Sequence, residues 1–446
     1  MKKKIISISI LTTFLLLILS GCSLKLDTPI EEFNLDEPLK VGIISDSQLP
    51  PKEKDDNGKF KNNLINALEG LKAQGINMLI FAGDIGDEAS NYVYDTFNSA
   101  ISAVFGDKKP ITQFIMGNHD YWGGNDGMWT ENSYRTRFED KLNQSPFTHY
   151  KVNGYHFIGA SPSSGSMNKG YSKILSWIDG EIAKAVKDDP NKPVFVITHN
   201  SAKNTVYGSD DWGDKQLYDI FKKYEQVVSI SGHLHYSIMD ERAIHQKDFT
   251  SFSTQSVSYT ELEEGKENGT IPPKAELTPM GLVMEFGIDK IDIKRMNFKD
   301  KNNPIEEKSD MRWTLPIPLS KDKFTYTKEN ALAKNTAPSM VSDSGSAIVD
   351  GDKAFIEFKA GIDNDFVHSY KLVWSDNTES YYFSDFINGI SSMSDIVKLQ
   401  IFNKKAGTYS VKVYAVDSYG LVSKNYVKID NVKVVKEIKY KQNSYH

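Results

Sequence analysis

Cysteine is almost missing from this chain of 446 residues, which holds one. That excludes a disulfide framework, a cysteine-rich zinc finger and an iron–sulfur centre. Histidine is scarce as well, nine in all, so a metal site must combine a few imidazoles with Asp, Glu, Asn or Gln. Positive charge is not in excess: the formal charge is −6, and no nucleic-acid-binding signature is present. Past the first 20 or so residues no run is apolar enough to span a bilayer, which takes about 20 such residues. With 39% hydrophobic and 25% charged residues, the chain has the composition of a packed body and not of a disordered one. At roughly 150 residues per domain its length predicts two or three domains.

The single cysteine has a place. Lys2, Lys3 and Lys4 precede the apolar run Ile5 to Leu19, followed by Ser20, Gly21 and Cys22. Such a run is short for a membrane span and suits the apolar region of a signal peptide. Leu19-Ser20-Gly21-Cys22 resembles the lipobox of bacterial lipoproteins, which implies cleavage before Cys22 and lipid attachment to its sulfur. Loss of residues 1–21 would remove three lysines and no acid, taking the formal charge from −6 to −9. The body is therefore expected outside the cytoplasmic membrane, anchored to it by lipid, with oligomeric state left open.

Residues 22–38, with Pro29, Pro38 and the acids Glu31 and Glu32, read as a tether. From 39 to 300, short apolar runs alternate with helical stretches. Val41–Asp46, Met78–Asp84, Thr112–Asn118, Val194–His199 and Val227–His233 share one form: a buried strand, then a small residue, then a metal-competent side chain. Between the first two, Leu64, Ile65, Leu68 and Leu71 recur at helical spacing up to Gly75. The alternation predicts a layered α/β fold, closed by antiparallel strands near 283–286 and 291–295. Residues 301–337 read as a connector, and 438–446 as a tail. Residues 338–437 alternate apolar and polar side chains with period two, which predicts a small all-β sandwich. This region weakly resembles immunoglobulin or fibronectin type III modules. It is expected to serve as a spacer or stabilising domain, or else as a binder, and its removal is expected to leave turnover of small substrates largely intact.

Ligands of open α/β sheets gather at the carboxyl ends of the strands. Here those ends supply Asp46, Asp84, Asn118, His199, His233 and His235, a donor set suited to divalent Mn, Fe or Zn. Two aromatic loops follow proposed ligands, Tyr121 to Trp129 and Tyr207 to Trp212, and stand either as substrate contacts or as ordinary loop packing.

Asp46-Ser47-Gln48, Gly83-Asp84-Ile85-Gly86-Asp87, Gly117-Asn118-His119-Asp120, Thr198-His199-Asn200 and Gly232-His233-Leu234-His235 resemble the ordered signature of calcineurin-like metallophosphoesterases. The resemblance covers residues 39 to about 300. It implies a metallophosphoesterase sandwich and two divalent metal ions. Asp84 would bridge the ions, with Asn118, His199 and His233 completing one site and Asp46 and His235 belonging to the other. It further implies that a bridging hydroxide attacks a phosphate mono- or diester while His119 stabilises the phosphoryl oxygens and protonates the leaving group. One position departs from the family pattern: Gln48 stands where a histidine is usual. It is either a weak ligand, the holder of a coordinated water, or the mark of a site with one tight ion. Asp120 reads either as the acceptor that orients His119 or as a turn cap, and Asp87 as a similar support or a plain loop acid. The expected function is hydrolysis of a small-molecule or envelope phosphate ester at the cell surface. The alternative is a surface-binding lipoprotein with a degenerate metal site. The presence of His119 favours the enzyme, since a structural metal site has no use for a histidine that is not a ligand.

Overall fold

The computed structural model describes residues 24, 26–54, 57–123, 130–167 and 169–441. The expected leader, its Cys22, and residues 124–129 of the first aromatic loop lie outside the described residues. No helix among the described residues is long and apolar enough to cross a membrane.

The five runs singled out in the sequence become the central strands Lys40–Ile44, Met78–Ala82, Ile111–Ile115, Val194–Thr198 and Val227–Ser231. They fall in two sheets of seven strands each. In the first, Lys40–Ile44, Met78–Ala82 and Ile111–Ile115 run parallel, and Met280–Phe286 and Lys290–Asn297 add antiparallel on the other side. In the second, Tyr155–Ala160, Val194–Thr198, Val227–Ser231 and Thr250–Ser253 run parallel. Period-two alternation assigns the faces. Met78, Ile80 and Ala82 turn inward and share one buried cluster with Phe195, Ile197, Val228 and Ile230 of the other sheet. Leu79 and Phe81 turn outward beneath the helices α1 (Lys59–Ala73) and α2 (Asn91–Phe105), while α3 (Glu131–Leu142) adds Phe138 to the same cluster. On the far side α4 (Leu175–Asp188) packs Ile178 and Ile182 on Val194 and Val196. The result is helix, sheet, sheet, helix. Both sheets carry their parallel strands' carboxyl ends to one edge, where the sequence placed its candidate ligands.

Two boundaries differ from expectation. Within the expected tether, Ile30–Phe33 pairs parallel with Phe147–Val152 and extends the second sheet. Within the expected connector, Ile305–Glu307 and Trp313–Pro316 pair with Lys290–Asn297, and Trp313 and Leu315 are fully buried. These strands of three or four residues are too short to show a period. An existing sheet edge supplies the hydrogen-bonding partners that their own sequence does not announce.

Beyond residue 338 the chain is all-β, as expected. A four-stranded sheet (Glu379–Phe383, Ser369–Trp374, Gly407–Val416, Val427–Val434) and a three-stranded sheet (Ser346–Asp350, Lys353–Lys359, Ile396–Gln400) are antiparallel throughout. They enclose Ile356, Phe358, Tyr370, Leu372, Val413 and Ile429. The module is not a detached spacer. Its Phe366, Phe383, Phe386 and Ile387 belong to the same buried cluster as the inter-sheet core of the α/β domain. Phe366 and Phe386 stack with ring centroids 4.8 Å apart.

Because Phe386 is fully buried in this shared core, Phe386→Ala is expected to lower stability by about 3–5 kcal/mol. Urea unfolding followed by fluorescence and by circular dichroism will check this, and the α/β domain should be destabilised together with the module.

Candidate metal centre

At the common edge of the sheets, each strand delivers its polar residue where expected. Asp84 follows Met78–Ala82 and sits at the centre. His199 Nε2 lies 3.1 Å from Asp84 Oδ2, 3.1 Å from Asn118 Oδ1 and 3.9 Å from Asp46 Oδ1. His235 Nε2 lies 3.3 Å from Asp46 Oδ1. Asp84, His199 and His233 offer ligand atoms all within 4.8 Å of one another. Asp84, His199, His233 and Asn118 thus gather at one point, and Asp46, with His235 beside it, lies within 3.9 Å of His199.

Local backbone geometry builds this convergence. Asp46 (φ 55°), Gln48 (φ 43°), Asp84 (φ 53°), His233 (φ 70°) and His235 (φ 56°) all occupy the left-handed region. A non-glycine residue held there costs on the order of 1–3 kcal/mol and persists only where its surroundings dictate it. The neighbouring glycines give the ligands room. A side chain on Gly117 would place its Cβ 2.0 Å from Asp84 Oδ1, and one on Gly232 would lie 2.5 Å from Asp46 Oδ2.

Hydrogen bonds fix the rings. His199 Nδ1 lies 2.8 Å from the Ala82 carbonyl, and His235 Nδ1 lies 3.0 Å from the Tyr259 carbonyl, so each ring presents Nε2 to the centre. Carbonyl partners of this kind hold the tautomer and orientation of metal-binding imidazoles. The Tyr171 hydroxyl accepts from the His199 backbone N–H at 2.8 Å. Asp46 accepts from the His233 backbone N–H and from the Ser45 hydroxyl. The segment after Thr250–Ser253 closes over Asp46: Ser258 N–H and the Ser256 hydroxyl donate to its carbonyl at 3.2 and 3.0 Å. Sequence reasoning missed this support. Its signal was the run of hydroxyl and amide residues from Thr250 to Thr260 following a strand.

His119 and its neighbours depart from one alternative. His119 Nδ1 lies 2.9 Å from the Asp87 carbonyl and 3.5 Å from its carboxylate, which turns Nε2 toward Asp84, 3.9 Å away. Asp87, not Asp120, therefore orients the ring. Asp120 is the turn cap: it accepts from the backbone N–H groups of Gly117 at 2.8 Å and Ile85 at 3.3 Å. Buried there, and near the charge of Asp84, its carboxyl is pushed up to about 7. Gln48 donates its side-chain N–H to Asp84 Oδ2 at 3.1 Å, which puts it against the central carboxylate. Of the aromatic loops, Trp122 brings its ring 3.9 Å from that of His119. Trp212 is half exposed.

The electrostatics couple Asp84 to the imidazoles around it. Burial opposes ionisation of Asp84, but His199 and His119 outweigh it and hold the carboxyl well below its ordinary range. In the reverse direction, burial favours neutral His199, yet the charge of Asp84 pushes it up to about 9. His233, buried and beside His199, drops to about 3 and stays a neutral donor. Its Nε2, together with Gln48 Oε1, is buried without a hydrogen-bond partner among the described residues. An unpaired buried donor or acceptor is costly unless something occupies it. Anionic carboxylates, a neutral imidazole with an unused nitrogen and an amide oxygen fit divalent cations.

The close approach at Gly117 gives a test. Gly117→Ala is expected to displace Asp84 and abolish high-affinity Mn²⁺ binding in calorimetric titration, while far-ultraviolet circular dichroism stays unchanged.

Residues 39–237 match the family model described as calcineurin-like phosphoesterase. No curated protein matches the chain. Among solved structures, a dimetal phosphatase from Danio rerio is 12% identical, with 64% of this chain and 100% of that chain covered at a TM-score of 0.42. GAP50, the anchor in the inner membrane complex of Plasmodium, is 16% identical, with 66% and 93% covered and a TM-score of 0.42. The purple acid phosphatase PPD1 from yellow lupin is 12% identical, with 63% and 54% covered and a TM-score of 0.42. With the family match spanning all the strands that carry Asp46, Asp84, Asn118, His199 and His233, this chain carries a calcineurin-like metallophosphoesterase domain.

Proposed function

We propose that the protein hydrolyses phosphate esters, monoesters or diesters, with two divalent ions held by Asp84, Asn118, His199 and His233 on one side and by Asp84, Asp46 and His235 on the other. The observation that carries this reading is the grouping of Asp84, His199 and His233, whose ligand atoms lie within 4.8 Å of one another, with His233 Nε2 buried and without a hydrogen-bond partner among the described residues. When bound, such ions supply Lewis acidity and a nucleophilic water at neutral pH.

The chain's own residues do the rest. Asp84 is shared between the two poles and brings them close. Asn118 and the histidines add donors without further negative charge, so Lewis acidity is not blunted. The Asp87 carbonyl accepts from His119 Nδ1 and leaves Nε2 to stabilise a phosphoryl oxygen and hand a proton to the leaving group. Trp122 packs on the same ring and limits its movement. Gln48, bonded to Asp84, is a weaker donor than imidazole and softens the Asp46 and His235 pole. Since a chain of formal charge −6 repels phosphate, attraction for substrate comes locally from the cations. We place the reaction outside the bacterial cytoplasmic membrane, with Cys22 as the lipid attachment point. Substrates are then small phosphate esters or envelope phosphate esters. The sequence pattern Leu19-Ser20-Gly21-Cys22 supports this location.

Purified protein supplied with Mn²⁺ is expected to hydrolyse an aryl phosphate mono- or diester. His119→Ala should lower kcat by about 10²–10⁴-fold with metal content retained. Absence of turnover with Mn, Fe and Zn alike, or an unaltered kcat in His119→Ala, would sink the proposal. In cells, Cys22→Ser is expected to move the protein from the membrane fraction to the soluble one.

A further inference from the structure

His235 is held through a chain of support that runs far from the site. Its backbone is left-handed, its Nδ1 is held by the Tyr259 carbonyl at 3.0 Å, and its own carbonyl accepts from Glu261 N–H at 3.1 Å. Tyr259 also lays its ring 4.4 Å from the imidazole. Both holding groups belong to the segment 259–278, which folds back on itself. Leu262 N–H bonds the Thr270 carbonyl at 2.8 Å, and Thr260 N–H bonds the Ala275 carbonyl at 3.0 Å. At its base, Asn63 of α1 bonds the carbonyls of Ser258 and Glu276.

The tip of this segment is gripped by the C-terminal β module. Glu267 N–H donates to the Tyr381 carbonyl at 2.7 Å. Asn268 makes a two-way bridge to Phe383, accepting its backbone N–H at 2.9 Å and donating to its carbonyl at 3.3 Å. Asn403 bonds Glu267, and from the tail that follows the module the Tyr440 hydroxyl bonds the Ile271 carbonyl at 2.8 Å. Nearer the base, Glu263 bonds Tyr207, whose hydroxyl also lies 3.0 Å from Nε2 of the buried His368 in the module.

We infer that the C-terminal β module is a positioning element of the metal centre: by gripping the tip of 259–278, chiefly through Asn268, it holds Tyr259 where its carbonyl locks His235 in ligand geometry. This rests on the reading of the site as a two-ion centre. A left-handed histidine relaxes once its surroundings cease to dictate its backbone. Loss of the grip therefore acts on the pole formed by Asp46 and His235 and spares the one formed by Asn118, His199 and His233. Partners that orient a metal-binding histidine affect metal affinity by about 10–100-fold.

The test uses the full chain and Mn²⁺ alone, titrated calorimetrically. Asn268→Ala is expected to weaken the looser of two binding events by about tenfold or more and leave the tighter one within a factor of about two. Asn268→Asp, which keeps the acceptor for the Phe383 N–H, should recover most of that affinity. Ser391→Ala serves as the control, because Ser391 bonds Glu307 elsewhere on the same interface. It should lower Tm without changing either affinity. Equal affinities in Asn268→Ala and wild type, or an equal loss in Ser391→Ala, overturn the inference. A wild-type protein that takes up fewer than two ions overturns the two-ion reading and the inference with it.

Discussion

A carboxylate buried where two sheets meet is the constraint from which the site follows. Asp84 is almost wholly buried at the end of a central strand of the first sheet. An isolated charge in such a place is very costly, so it must be matched by positive groups and hydrogen bonds. His199 comes from the second sheet, His119 from the loop after Ile111–Ile115, and Gln48 from the loop after Lys40–Ile44; each reaches Asp84. That requirement ties the edges of the two sheets together. It also explains the left-handed residues and the glycines packed against them, since only sharp turns and bare backbone let so many polar groups approach one point.

Around that point the support is layered. Backbone carbonyls of Ala82, Tyr259 and Asp87 set which nitrogen each imidazole turns inward. Those carbonyls are themselves held by a core strand, by the 259–278 segment and by the loop that follows Asp84. The C-terminal module enters at this level. Its aromatic residues share the α/β core, and its strand Glu379–Phe383 grips the segment behind His235. A domain that carries no ligand can thus belong to the metal centre through the backbone it holds.

Much of this was legible in the sequence because strands buried on both faces read as continuous apolar runs, and the residue at a strand's end is pinned to within a position or two. The candidate donors Asp46, Asp84, Asn118, His199, His233 and His235 could be placed at strand ends for that reason, and the layered α/β class and the all-β region after residue 338 could be read. The short edge strands at 30–33, 305–307 and 313–316 were not legible, since an edge strand takes its hydrogen bonds from a neighbour whatever its own pattern. The choice between Asp87 and Asp120 was equally closed to sequence: both are acids a few residues from ligands, and only the three-dimensional path of the loops decides which one faces the imidazole.

The sequence by itself determined the donor chemistry. With one cysteine, placed at position 22, a metal site had to be made of carboxylates, amides and imidazoles, and strand ends fixed their order. Tertiary structure alone decided how those donors are aimed. Orientation comes from carbonyls and glycines distant in the chain, and from a β module whose period-two pattern contains no trace of the segment it holds. Composition and local spacing encode what a side chain can do, whereas where it points depends on contacts between segments that no local pattern records.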